Sequence, residues 1–161
     1  MRINRAYLDI ETTGIDYRIN EITVVGIYFE FGRFYQTFGD FINWDEILKL
    51  LEPVDLLYTF NGSLFDLKFI EYKTGISLED YVIHCDLRFE CKKKNLKGGL
   101  KKIENILGIK RNLPEINGYK AVLLWNDFVA NGNKNSLKKL LEYNREDIFN
   151  LSILRRKIGV K

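Results

Sequence analysis

Four acidic residues and one tyrosine in this 161-residue chain have spacings that can bring oxygen ligands together. Asp9 and Glu11 lie two apart in an apolar stretch, and residues i and i+2 of a strand project from the same face. Two carboxylates on one face of a buried strand are costly unless a positive charge meets them, and a divalent cation with oxygen ligands is the usual partner. A solvated strand end would also accommodate them. Thr12-Thr13-Gly14 follows at once, a small polar turn over which a ligand can approach the backbone. Asp66 ends the run Asn61-Gly62-Ser63-Leu64-Phe65-Asp66, just after an apolar strand pattern. Ligands of open α/β sheets gather beyond the carboxyl ends of strands, although the helix dipole also favours an aspartate in a first helical turn. Tyr143 and Asp147 are one helical turn apart at the border of an apolar stripe formed by Leu137, Leu140, Leu141, Ile148, Leu151 and Leu154. Half-buried packing explains such a tyrosine as readily as a site does.

The elements that must position these residues follow from periodicity and punctuation. Ala6 to Glu11, Glu21 to Phe31 and Arg33 to Phe38 read as strands, the last two forming a hairpin across Gly32-Arg33. Asn43 can cap a helix from Trp44 to Leu51 that Pro53 closes. Leu56 to Phe60 is a strand, Asn61-Gly62 a turn, Ser63 to Lys73 a helix, and Tyr81 to Cys85 the last strand. Helices follow over Asp86 to Lys94, Leu100 to Leu107 with Gly108 at its end, Tyr119 to Ala130, and Ser136 to Lys157. Strands that first meander and then alternate with helices predict an α/β fold, a mixed five-stranded sheet flanked by helices on both faces.

With 46% hydrophobic and 29% charged residues, the chain has the balance of a globular domain, and its length fits one domain spanning 1–161. No apolar run is long enough to cross a bilayer, and charges interrupt Met1 to Gly14 where a signal peptide needs an apolar core, so a soluble, cytoplasmic protein is expected. Cys85 and Cys91 are too few for a disulfide framework or a four-cysteine zinc site. From Arg88 to Arg111, nine basic residues face two glutamates, a surplus of seven that leaves the remaining chain four negative within a net charge of +3. Such a limb either draws a polyanion such as nucleic acid or is simply a solvated helix face.

In combination these pieces resemble a known family. Asp9-Ile10-Glu11-Thr12-Thr13-Gly14, Asn61-Gly62-Ser63-Leu64-Phe65-Asp66 and Tyr143-Asn144-Arg145-Glu146-Asp147 resemble the three motifs of the DnaQ-like 3′-to-5′ exonucleases of the DEDD group, which have the RNase H-like fold. Glu142 stands where one branch of that group has histidine, and Tyr143 fits the tyrosine branch. The second motif, with Asp86-Leu87, Gly99 to Glu104, Leu107-Gly108 and Trp125, is most similar to stand-alone YprB-type RNase H-like domains, and the motif itself also to the exonuclease domain of family B DNA polymerases.

The resemblance implies two ions of Mg²⁺ or Mn²⁺ held by Asp9, Glu11, Asp66 and Asp147, with Tyr143 positioning water. It implies a nucleic-acid partner with a free 3′ end, single-stranded DNA or RNA, and release of nucleoside 5′-monophosphates. By the same analogy Thr12, Thr13 and Gly14 line the terminal-nucleotide pocket, and Asn61, Leu64 and Phe65 contact the last bases. The basic stretch, Lys92, Lys93, Lys94 and Lys97 in particular, would guide phosphates. An RNase H-like endonuclease and a non-catalytic nucleic-acid-binding module are the alternatives. Asp86 has two readings, a neighbour of the acidic cluster or a helix N-cap. Glu104 and Lys101 stand at salt-bridge spacing, Trp44 and Trp125 read as core, and His84, Cys85 and Cys91 do not read as metal ligands.

Overall fold

The structure, a computed structural model, describes residues 3–30 and 32–161. The end of the second predicted strand at Phe31, and Met1 and Arg2 of the leading segment, lie outside the described residues. The chain runs β1 (Arg5–Thr12), β2 (Ile22–Phe29), β3 (Arg33–Phe38), α1 (Trp44–Leu51), β4 (Leu56–Thr59), α2 (Asp66–Thr74), β5 (Ile83–Asp86), α3 (Leu87–Lys93), α4 (Leu100–Leu107), α5 (Gly118–Asn131) and α6 (Lys134–Lys157). Short connections pair β1, β2 and β3 antiparallel, whereas helical crossovers through α1 and α2 make β4 and β5 parallel to β1. The sheet order is β3-β2-β1-β4-β5, so β1 is central.

Strand alternation divides β1 between two cores. Ala6, Leu8 and Ile10 face Ile47 and Leu51 of α1 and Phe69 and Ile70 of α2. Tyr7 faces the other way, into a cluster with Ile148, Leu151 and Leu154 of α6 and Ile103 of α4. By the same parity Asp9 and Glu11 project toward α6. Tyr143 and Leu140 of α6 join Ala121 of α5 and Val24 of β2 in a third cluster. Trp44 and Trp125 pack against the first and third clusters, as read from their amphipathic segments.

Near the C-terminal end of α6, Arg155 donates to the Tyr7 hydroxyl at 2.6 Å and to Glu30 at 2.8 Å, pinning that end of the helix to the start of β1. Gly26 lies opposite Asp9 in the β1–β2 register, where a Cβ would sit 2.3 Å from Asn144 Oδ1 and 2.4 Å from Ile148 Cδ1. That bare backbone lets α6 approach the sheet.

Several boundaries differ from expectation for local reasons. β4 ends at Thr59 and α2 begins at Asp66, because residues 61–65 form a turn with Asn61 at φ 65°. β5 begins at Ile83, since Leu78–Asp80 makes a 3-10 turn first. α6 begins at Lys134, where the Asn133 side chain accepts from the amides of Asn135 and Ser136. Among the described residues, no helix is long and apolar enough to cross a membrane.

Gly26→Val should lift α6 off the sheet and lower unfolding free energy by about 1–3 kcal/mol, the usual range for overpacking. Urea denaturation checks this. Unchanged stability would show that α6 has room to spare over β2.

Candidate active site

Asp9 and Glu11 on β1 and Asp147 on α6 each offer a carboxylate oxygen, and these oxygens lie within 4.8 Å of one another. Glu11 and Asp147 are buried and Asp9 is half-buried. The geometry is fixed by the residue beside Tyr143. Asn144 Nδ2 donates to the Asp9 carbonyl at 3.1 Å and to its carboxylate at 2.9 Å, while Asn144 Oδ1 accepts from Gln36 of β3 at 2.8 Å.

Asp66 is placed beside this trio but is turned differently. Pairing of β1 with β4 stops at Tyr7–Tyr58, leaving the Ile10 amide without a strand partner on that side, and Asp66 accepts its hydrogen bond at 3.0 Å. The carboxylate is thereby tied between Asp9 and Glu11 along the strand.

Burial and mutual repulsion act together on these groups. Burial, then the charges of Glu11, Asp66 and Asp147, push Asp9 well above the ordinary carboxylate range. Glu11 rises likewise through burial and the charges of Asp147 and Asp66. Burial raises Asp66 to about 7 against the pull of the Ile10 amide, and raises Asp147 to about 6 against the charge of Arg111. Tyr143 is buried, and that burial plus the charges of Asp147, Glu11 and Asp9 push its phenol above the usual value, so it stays protonated at neutral pH.

Arg111 was hidden in the basic run. Its side chain is 6% exposed and forms two contacts to Glu104, which is 1% exposed, and an ion pair of 2.6 Å to Asp147. Its guanidinium carbon lies 6.0 Å from the Tyr143 ring centre. Nothing in the local sequence separates Arg111 from its eight basic neighbours. Glu104 therefore pairs with Arg111 rather than Lys101, whose ammonium donates instead to the Pro114 carbonyl at 3.2 Å.

Thr12, Thr13 and Gly14 line a cleft of about 450 Å³ together with Glu11, Phe65 and Tyr119 of α5. Tyr119, 72% exposed, carried no sequence signal. Asn61 and Leu64 lie outside this cleft. Asn61 Oδ1 accepts from Arg88 at 2.5 Å. Leu64 shares a second depression with Lys92 and Lys97. Lys93 turns away to Glu90 at 2.5 Å, and Lys94 is the exposed C-cap of α3. Asp86 is a structural cap: its carboxylate accepts from the amides of Asn61, Ser63 and Arg88. His84 bonds Thr59 at 2.8 Å, away from the acidic trio, and both cysteines are free thiols.

The donor set fits a hard divalent cation. Three carboxylate oxygens from Asp9, Glu11 and Asp147 converge, the hard oxygen donors such a cation takes.

Two outcomes follow from this electrostatic arrangement. Arg111→Met should cost about 3–5 kcal/mol in urea unfolding, because it strands buried Glu104; a loss under about 1 kcal/mol would contradict the pairing. Asp66 and Asp147 have folded pKa values near 7 and 6, above the unfolded value near 4. Their favourable contribution is complete below about pH 4 and is lost as pH rises through 6 and 7. In EDTA, Tm should therefore fall between pH 5 and pH 8. A rise over that interval would contradict the shifts.

Residues 6–158 match the family model of the RNase_H superfamily. No curated protein matches the chain. Among solved structures, the family B DNA polymerase of the hyperthermophilic archaeon Pyrobaculum calidifontis superposes with a TM-score of 0.72 at 12% identity, over 97% of this chain and 25% of the polymerase. This chain thus spans a quarter of that protein's length. An apo nuclease superposes at 0.65 with 17% identity, over 96% of this chain and 71% of its own. Brucella melitensis NrnC does so at 0.63 with 18% identity, over 98% and 73%. At these identities the likeness is one of fold, and it agrees with the mixed five-stranded sheet described above. By its match over nearly the whole length, the chain belongs to the RNase_H superfamily.

Proposed function

We propose that the chain is a divalent-cation-dependent 3′-to-5′ exonuclease of the tyrosine branch of the DEDD group, acting on single-stranded DNA or RNA. The observation that carries this reading is the convergence of Asp9, Glu11 and Asp147 oxygens within 4.8 Å from a strand and a helix far apart in sequence. The fold shared with the superposed nuclease and NrnC supports the nuclease part of this reading.

Asp9, Glu11 and Asp147 would hold the cations, two of Mg²⁺ or Mn²⁺, with Asp66, one oxygen of which accepts from the Ile10 amide, as the fourth carboxylate. When bound, the cations supply Lewis-acid stabilisation of charge on the reacting phosphate and make water nucleophilic at neutral pH. The chain supplies position and exclusion. Asn144 keeps the Asp9 carboxylate aimed at α6. Tyr143, protonated and buried beside three carboxylates, orients the attacking water by its hydroxyl rather than removing a proton. The cleft between Thr12–Gly14, Phe65 and Tyr119 receives the terminal nucleotide, its apolar walls stacking on any base. The exonuclease is preferred to an endonuclease because the three motifs resemble those of the DEDD exonucleases.

With Mg²⁺ or Mn²⁺, 5′-labelled single-stranded DNA or RNA should shorten to a ladder, and EDTA should stop it. Circular single strands should survive; their degradation would overturn the exonuclease reading. Asp147→Asn should lose more than the roughly 10–100-fold that outer-shell changes cost. Tyr143→Phe should slow turnover about 10–100-fold with Mn²⁺ binding retained. Wild-type rates in that variant would remove the role given to the hydroxyl.

A further inference from the structure

A second concavity, of about 350 Å³, lies between the residue 61–65 turn and α3; it gathers Leu64, Lys92 and Lys97, which the resemblance gives to nucleic acid, with Arg88 and Phe89, to which it gives no role. Leu64 and Phe89 are its apolar walls, 63% and 44% exposed, and Arg88, Lys92 and Lys97 are its cations. Phe89 is not a misplaced core residue. Its neighbours Leu87 and Cys91 are fully buried on the inner side of α3, and Phe89 stands on the side that faces solvent. The walls are also held at a fixed spacing. Asp86 accepts from the amides of Asn61 and Ser63 in the turn and of Arg88 in the helix, and Arg88 donates to the Asn61 side chain.

A rigid slot with apolar walls and three cations matches one chemistry: a flat, uncharged ring system joined to an anion. An acidic peptide satisfies the cations but covers the walls only where it also carries an aromatic or apolar side chain, whereas every unpaired nucleotide brings both an anion and a flat ring. The slot is joined to the acidic site along the chain, Leu64 being two residues before Asp66, and shares no lining residue with the cleft lined by Glu11, Thr12 and Tyr119.

We propose that this slot binds one unpaired nucleotide of the substrate strand on the 5′ side of the scissile bond, its base between Phe89 and Leu64 and its phosphate on Arg88, Lys92 and Lys97. The proposal rests on the nuclease reading and adds a place where the strand is gripped before it reaches the carboxylates. Phe89 then discriminates single strands from duplex, because a paired base is not free to enter.

The test measures binding rather than cleavage. In an Asp147→Asn background with Ca²⁺, the dissociation constant is read by anisotropy for 5′-labelled oligonucleotides carrying one abasic site at each of the last five positions in turn. One internal position, not the terminal one, should weaken binding roughly 5- to 100-fold, the loss of a single base stack. Phe89→Ala should weaken the intact oligonucleotide by the same factor and add nothing to the oligonucleotide abasic at that position, while Phe89→Trp should restore binding. Lys92→Gln should lower the slope of log Kd against log salt by about 0.7. Unchanged affinity in Phe89→Ala, or losses that multiply at every abasic position, would overturn the slot. Cleavage that persists while Phe89→Ala binds normally overturns the slot alone. Slot behaviour in a protein that never cleaves with Mg²⁺ or Mn²⁺ overturns the nuclease reading alone.

Discussion

Repulsion between carboxylates is the constraint around which this molecule is organised. Asp9, Glu11 and Asp147 place oxygens within 4.8 Å of one another in a buried setting, with Asp66 alongside. Two like charges about 4–5 Å apart at an effective dielectric of ~20 repel by roughly 3–4 kcal/mol. Three such pairs rival the roughly 5–15 kcal/mol that holds a whole domain folded. The trio cannot be fully ionised on its own. It takes up protons, shares the charge of Arg111, or binds a cation, and the raised carboxylates are the signature of the first of these.

The scaffold withstands that repulsion because α6 is anchored on both sides of it. Toward the helix start, Asn144 links Gln36 of β3 to Asp9 of β1. Toward its end, Arg155 grips Tyr7 and Glu30 at the far end of β1 and β2. Between these ties, Gly26 removes the one side chain that would hold helix and sheet apart, and Ile148, Leu151 and Leu154 bury the contact. The Arg155 ties, the Asn144 bond to the Asp9 carbonyl and the apolar contacts hold the acidic groups together whatever their charge state. Arg111 adds a cross-link of another kind, tying α4 through Glu104 to the same carboxylate that faces β1.

Parity and periodicity made much of this legible in the sequence. The two-residue step from Asp9 to Glu11 predicts a shared face, and Tyr7 on that face packs against α6 as the step requires. Asn43 caps α1 over Trp44–Leu51, and β3 spans Arg33–Phe38, both as read. What stayed hidden depends on contacts across the fold. Arg111 reaches Glu104 as the loop after α4 folds back and reaches Asp147 across to α6, and in sequence each is one charge among many. Asp86 looks like a helix cap and is one, but it also holds the residue 61–65 turn, which is why α2 starts three residues later than its sequence pattern indicates. Tyr119 and Phe89 are apolar residues left at the surface, and only tertiary placement reveals the concavities they line.

If charge crowding is what prepares this site for a cation, binding must displace protons that the crowding retained. Calorimetric titration of the protein with Mn²⁺ at pH 7, in two buffers of different ionisation enthalpy, measures that directly. Saturable binding with net proton release, diminishing toward pH 9, is the predicted result. Binding without proton release, or no binding at all, would contradict the account.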